Sequence, residues 1–478
     1  MITTFHPLDA RTNMPIDSID LSFPLWGSLL EPLAAPVHIL AALPDIRVGM
    51  ISMVVWLVVF FIAYSTYVFY KDKSIKISFY AFFNLLLLSI TYLIFIALIP
   101  LPSWTLDKKN EAMIVTELHS HTLLSHDGVA NLSDNLSIHK QRGYDLVAVT
   151  NHPRVLKTTL MDSKLGNRIV KAVPGKEIPV YYGGKFYLNV FGIDTSMLLP
   201  YGLYYTANNT LPPPPRPMDS VLWSVKKLIH KVHEHGGIIT VVALHLNIQQ
   251  VRGLIQAGVD AFEIVNIGQH PLPKDIRQVL LQAQKEKGIV LISCNDWHGW
   301  TGVMNAWTVI QEDSIDTMRH ETLDTRALNV LRKHQWQSVI PVIAYPIYKM
   351  TPLDIIFAPF VAVFEYIKTL SLQQLCAWGG YFILFLLLSK YWQWQRMSLA
   401  ESIRHVLLIG MSVSILWHSI LLFNDCLLFK IQHQLAYKIS LYGMFFSGIV
   451  IIVEGIRLYP YMDISGITRP TQRLALAE

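Results

Sequence analysis

Two short patterns in the middle of the chain carry chemistry. In "MIVTELHSH", His119 and His121 stand one residue apart, and in "NDWH", Asp296 and His298 repeat that spacing. Side chains two apart on a strand leave the same face, so each pair aims two groups at one point. Mixed imidazole and carboxylate donors suit zinc, manganese or iron. One H-x-H alone is usually a pair of histidines satisfied by ordinary hydrogen bonds. Here His126, Asp127, His152, Glu177 and His245 also lie beside the ends of predicted strands, so a metal centre drawn from this set is the expectation.

The elements that must position these groups follow a repeated form. "MIVTELHSH", "YDLVAVTNH", "GGIITVVALH", "VDAFEIVN" and "GIVLISCND" are each an apolar run closed by residues able to hold a metal or a substrate. Helix-like stretches lie between them, for instance at 131–143 and 219–235. Alternating strands and helices predict a parallel sheet, and folds of this kind collect their chemistry at the C-terminal strand ends. Gly128 lets the chain turn after the first strand, and Ser133 is the expected cap of the next helix. The proline-rich "LPPPPRP" at 211–217 reads as a stiff surface loop. His230, His233 and His235 sit near a helix end, where the helix dipole and solvent account for them.

In order along residues 112–343, "ELHSHTLLSHDG", "GYDLVAVTNH", "PGKEI", "VVALH" and "NDWH" resemble the motifs of the polymerase and histidinol phosphatase (PHP) family of metal-dependent phosphoesterases. The resemblance implies an α/β fold, a distorted seven-stranded barrel whose strand ends hold two or three divalent metal ions. It implies that His119 and His121 share one ion with Glu177 and Asp296, which form the catalytic set. Glu177 would bridge to a second ion held by His245, and His152 and His298 would hold a third with either His126 or Asp127. Two positions depart from the family pattern: Asn151 stands where an acid is common, and Asn189 where many members carry a histidine. Asn189 is therefore expected to touch a water or the substrate. Arg154 is a candidate for a bidentate contact to a substrate phosphate.

Divalent ions in such a cluster lower the pKa of a bound water and clamp the oxygens of a phosphoryl centre. The expected activity is hydrolysis of a phosphate ester, with no Ser or Cys nucleophile required. Two other readings come from different classes. Asn151 and Asn189 would also mark a barrel reduced to a binding or regulatory module, and metal-dependent barrels of this type also cleave C–N bonds.

Composition sets this domain inside a membrane protein. Of 478 residues, 52% are hydrophobic and 15% charged, too oily for one soluble enzyme. Residues 49–70 and 77–106 contain no Asp, Glu, Lys or Arg and read as a transmembrane hairpin within 49–106. Three further spans lie within 352–458, and 352–367, with Asp354 and Glu365, is a weaker fourth, giving five or six in all. With six spans, basic residues crowd one side and place the middle domain at the cytoplasmic face. Glu454 and Arg457 are spaced to pair at the interface. Residues 1–48 lack the pattern of a cleavable signal and carry no readable role, and 459–478 form a tail. The net charge of +5 is dispersed, so no nucleic-acid-binding stripe is indicated; the expected partners are the membrane and a phosphate ester, with a lipid-linked one as a natural form.

Overall fold

The computed structural model describes residues 6–152, 163–165, 168–181, 185–194, 218–243, 246–267, 270–311, 321–392, 399–431 and 434–458. The chain divides into two compact units, one from 1–60, 100–375 and 434–436, the other from 61–99, 376–433 and 437–478.

Fourteen strands are described: β1 (Leu8–Asp9), β2 (Met14–Pro15), β3 (Ile19–Ser22), β4 (Thr105–Lys108), β5 (Met113–Ser120), β6 (Leu146–Val149), β7 (Ser163–Leu165), β8 (Arg168–Tyr181), β9 (Lys185–Phe191), β10 (Ile238–Val242), β11 (Ala261–Asn266), β12 (Val290–Cys294), β13 (Ala306–Gln311) and β14 (Val339–Ile343). All but β3 and β4, which pair with each other, form one sheet in the order β12-β11-β10-β9-β8-β6-β5-β13-β14-β1-β2, with β7 on β8. The ladders β5–β6, β6–β8, β10–β11 and β11–β12 are parallel. Those of β8–β9, β9–β10, β5–β13 and β13–β14 are antiparallel. The parallel sheet expected from the sequence is thus a mixed one. A parallel neighbour needs a long crossover, whereas β8 returns as β9 after a few residues and can pair only in the opposite sense.

A closed seven-stranded barrel is not what the chain builds. The sheet curls until β12 faces β13, where Ser293 N donates to Thr308 Oγ1 (3.0 Å) and that hydroxyl donates to Ser293 O (2.9 Å). No ladder joins β12 to β13 among the described residues. β13 lies between β5 and β14, so both its backbone edges are already paired and only a side chain is left to make the junction.

Helices packed on this sheet end where local chemistry dictates. Asn131, not Ser133, caps Leu132–Gln141: its side chain accepts from Asp134 N at 2.8 Å, while Ser133 lies within the first turn. Ile248–Ala257 starts with a capping box of Asn247 and Gln250 and stops at Gly258, whose φ of +93° suits glycine. The apolar faces of Met218–Glu234, Ile248–Ala257 and Lys274–Lys287 bury Leu228, Val232, Leu254 and Leu280 against Leu188, Val241 and Phe262. Each such side chain contributes about 1.5–3 kcal/mol by leaving water. Cys294 is buried in a second core with Leu118, Leu146 and Ile292, closed by Ala327 and Leu331 of Leu323–Arg332.

Residues 1–48, without a readable role in the sequence, are part of this unit. Leu8 pairs with Ile343 and Asp9 with Val342, so β1 and β2 extend the sheet beyond β14. Ile19, Leu21 and Phe23 pack with Leu106, Val115 and Trp307.

Among the described residues, five helices are long and apolar enough to cross a membrane: Ile46–Lys71, Ile75–Leu98, Leu372–Ser389, Glu401–Leu428 and Leu435–Leu458. The weaker sixth candidate is instead two short helices, Pro352–Ile356 and Ala358–Thr369. Pro359 has no N–H to continue the first of them, which breaks at Phe357. The count is therefore five, and the charge comparison based on six spans no longer applies.

Candidate metal centre

The chain brings "LHSH" and "NDWH" side by side through the backbone. Ser120 bridges Trp297, and His121 N donates to Trp297 O at 2.8 Å. Asp296 has a φ of +54°. An Asp tolerates this left-handed conformation better than a branched residue, and such values gather at functional sites. The loop after β5 doubles back, with Leu123 N donating to Ala130 O at 2.6 Å. Gly128 is required there, since a Cβ would lie 2.1 Å from Thr122 O. That return carries Asp127 towards His152 and His298.

The side chains converge. His119 Nε2 lies 3.1 Å from His121 Nε2, 3.0 Å from Asp296 Oδ1 and 3.4 Å from Glu177 Oε1. His121 Nε2 is 3.2 Å from Asp296 Oδ1 and 3.7 Å from Glu177 Oε2. On the other side, Asp127 Oδ2 is 3.4 Å from His152 Nε2 and 3.3 Å from His298 Nε2, and His152 Nδ1 is 2.9 Å from Glu177 Oε2. The rings of His121 and His298 stack with centroids 4.0 Å apart. Among the described residues, two groups have donor atoms close enough for an ion: His119, His121 and Glu177, and His121, Asp127, His152 and His298.

The partners of the far ring nitrogens say which atoms face the centre as lone pairs. His119 Nδ1 lies 3.0 Å from the Glu263 carboxylate and His298 Nδ1 2.7 Å from Asp296 O, both acceptors, so each Nδ1 carries the proton. Ser125 Oγ holds His121 Nδ1 at 3.2 Å. With its Nδ1 proton directed at Glu263, His119 points its Nε2 lone pair at His121 Nε2 and Asp296 Oδ1. Asp296 Oδ1 and Asp127 Oδ1 are buried without a hydrogen-bond partner. Acceptors facing acceptors in a buried site need a cation between them, and this donor set fits a divalent ion.

Protons are the alternative, and the electrostatics show the demand. Burial pulls the His119 imidazole down, but Asp296, Glu263 and Glu177 outweigh it and hold it well above the usual histidine value. Burial likewise opposes charge on His152, yet Asp127 and Glu177 raise it to about 9. Burial and the neighbouring His298 push His121 down to about 4. Burial would raise Asp296 and Glu177, but the surrounding histidines hold both below the usual carboxylate range.

Of the residues singled out in the sequence, His119, His121, Asp127, His152, Glu177, Asp296 and His298 meet here. His126 is exposed, 3.7 Å from Asp127, and outside both groups. His245 and Arg154 lie outside the described residues. Asn189 is opposite Glu177 in the β8–β9 ladder and donates to Glu263 Oε1 at 2.8 Å, so its amide braces the cluster. Asn151 Oδ1 accepts from Thr122 N at 2.8 Å and pins the turn after His121.

Two buried acids were missed by sequence reasoning. Glu263, fully buried in β11, holds His119 and also accepts from Asn266. Its signal was an acid inside the apolar run "VDAFEIVN". Glu117, two residues before His119, accepts from Asn295 N and Nδ2, and burial pushes it up to about 8. An acid at the same alternate spacing as the histidines was the available clue.

No family model matches the sequence, and no curated protein matches it. Solved structures similar to part of the chain include an amidohydrolase from Chromobacterium violaceum with bound sulfate and no metal, at 14% identity, covering 38% of this chain and 87% of that one with a TM-score of 0.26. Another is PsfC from Pseudomonas syringae PB-5123, at 17% identity, covering 54% of this chain and 98% of that one with a TM-score of 0.30. Likeness at this level carries no functional argument.

Proposed function

We propose that the protein is a membrane-associated, metal-dependent hydrolase of phosphate esters. The observation that carries this reading is the pair of donor groups meeting at His121. A ring nitrogen has one lone pair, so His121 serves one ion only. We assign it to a first ion with His119, Glu177 and Asp296, leaving Asp127, His152 and His298 for a second. Zinc, manganese or iron would each suit these donors. Ions held there supply Lewis acidity to an attacking water and to the phosphoryl oxygens.

The chain's own groups do the rest. Glu263 and Ser125 fix the ring orientations of His119 and His121, as outer partners of metal ligands commonly do. Asn151 and Asn189 fit this positioning role, which makes them part of a working site rather than marks of decay. Arg154 is our candidate for the free phosphate oxygens. A lipid-linked ester remains part of the proposal.

The test uses the full chain in detergent. Metal content is measured by mass spectrometry, and product release is followed on parallel panels of phosphate esters and amides. Stoichiometric metal with phosphate release supports the reading. Amide cleavage alone would transfer the site to C–N bonds, metal without turnover would make it a binding module, and a folded protein that takes no metal would end the proposal.

A further inference from the structure

A second recess sits beside the centre and has no role in the proposal above. It is lined by Leu43, Ile264, Ile267 and Ile347 and by two asparagines, Asn266 and Asn305. Its volume is about 30 Å³, room for roughly two or three waters or an equally short aliphatic segment. The rim is open: Ile46, Ile267 and Ile347 are partly exposed and His270 is exposed.

The polar atoms of this recess are unusual. Asn305 is 3% exposed, and neither its Oδ1 nor its Nδ2 has a hydrogen-bond partner. A buried amide left unmade is costly, and buried polar groups in folded proteins are nearly always paired. Asn266 is 5% exposed, and its Oδ1 is unpartnered as well. Its other end is not idle, since Nδ2 lies 3.2 Å from Asp296 Oδ2 and 3.2 Å from Glu263 Oε2. Asn305 is tied to the same shell through its backbone, with N donating to Asn295 Oδ1 at 3.0 Å. The recess therefore shares the wall at Asn266 with the metal centre.

Its remaining wall comes from the chain entering the first apolar helix. Leu43 and Pro44 line it, as does Ile46, the first residue of the span Ile46–Lys71. Apolar walls with a few convergent polar groups next to a reactive centre suit one small fragment of a ligand.

We propose that this recess holds the alcohol portion of the substrate: a short aliphatic segment bearing one uncharged hydroxyl or amide, which pairs with Asn305 and Asn266. The inference rests on the phosphoesterase reading of the adjoining centre and names the substrate class for it. Apolar walls select the carbon chain. The two amides reject a charged group and select one that both donates and accepts. The carbon chain can come from a soluble ester or from the head region of a lipid.

The experiment measures binding to the metal-loaded full chain in detergent by titration calorimetry, using methyl, n-butyl and 3-hydroxybutyl phosphate, with dioctanoyl phosphatidate as the lipid arm. Butyl phosphate is expected to bind roughly tenfold or more tightly than methyl phosphate, and the hydroxyl to add a further factor of about 5–10. Asn305→Leu should abolish the hydroxyl preference while keeping the preference for chain length, with an unchanged or raised thermal midpoint, because the amide has no partner in the protein to lose. Ile267→Trp, at the partly exposed rim, should abolish the preference for chain length. Binding independent of chain length overturns the proposal, as does an Asn305→Leu variant that keeps the hydroxyl preference. Tighter binding of phosphatidate than of hydroxybutyl phosphate identifies the lipid source, and the reverse identifies the soluble one. Phosphate release from the same three short esters is scored separately. If it fails while chain-dependent binding holds, the phosphoesterase reading falls and the recess stands; if it succeeds while binding ignores the chain, the recess falls alone.

Discussion

Two of the regions in which the described residues bury carboxylates with histidines treat them in opposite ways. In the second unit, Glu454 is fully buried and meets Arg457 Nη1 at 2.9 Å, Arg404 Nη2 at 3.7 Å and the His405 ring. Arg457 also donates to Asn84 Oδ1 at 3.0 Å. One anion there has permanent cations from its own chain. At the strand ends of the first unit, the ion-pair partners of Asp127, Glu177, Glu263 and Asp296 among the described residues are imidazoles, with neutral amides of Asn189 and Asn266 beside them. Imidazoles neutralise an anion only by taking up protons, and as metal ligands they must be neutral. The first cluster carries its own permanent cations, while the second asks for charge from outside. A third case sharpens the contrast: fully buried Glu31 accepts from Tyr366 at 2.6 Å and Gln374 at 2.9 Å and pairs with His38 at 3.0 Å, so one carboxylate is satisfied by local partners.

The largest effect should come from removing the ligand pair. His119→Ala with His121→Ala is expected to abolish stoichiometric metal and to lower phosphate-ester turnover at least about a thousandfold, with the circular dichroism spectrum unchanged. Glu454→Gln should leave metal content at the wild-type level; equal metal loss in the two variants would erase the distinction drawn here. Next in size is Glu454→Ala, which strands two arginines. Breaking a buried pair costs about 3–5 kcal/mol, and because both arginines are partly exposed, roughly 3 kcal/mol is expected, read as a fall in thermal midpoint in detergent. A midpoint that does not move would mean the cluster contributes nothing to the bundle.

Legibility from sequence followed the same divide. Donors at alternate spacing were readable as pairs, and their joint occurrence grouped His119, His121, Asp296 and His298; strand periodicity covers only the first pair, since Asp296 and His298 lie beyond β12 and Asp296 is left-handed. Glu263 stood out as an acid inside an apolar run, but its partner could not be read, because its place beside His119 depends on the curl of the sheet. The open, mixed sheet escaped for a related reason: β8–β9 and β13 pair antiparallel, and the apolar runs that predict strands say nothing about direction. Asn131 rather than Ser133 capped its helix because several residues there could accept the same amide proton. The five apolar helices were visible in composition, whereas the break at Phe357 needed Pro359 to be weighed against a run of hydrophobic neighbours.

A smaller effect tests how far the outer partners matter. Glu263→Gln retains the shape but removes the charge that orients His119, and a change of this kind typically costs about 10–100-fold in metal affinity. Competition with a chelating dye measures it. Affinity within about twofold of wild type would reduce Glu263 to packing.

The smallest effect separates a buried histidine that only packs from those that would bind. His139 donates Nδ1–H to Asn135 O at 2.8 Å, and its Nε2 is buried without a partner. Burial, with Arg142 nearby, pushes its pKa down to about 4. The unfolded chain, with a pKa near 6.5, therefore binds the proton more readily than the folded one. Stability from this group is full above the unfolded value and is lost as pH falls through the window from about 6.5 to 4. Between pH 7 and 5.5 the loss amounts to about 1 kcal/mol. Other groups titrate over the same range, so the readout is the difference between wild type and His139→Leu: the wild type should lose about 1 kcal/mol more than the variant over that interval. Parallel curves would mean that His139 takes up its proton in the folded protein as easily as in the unfolded one, and that burial alone does not keep a histidine neutral here.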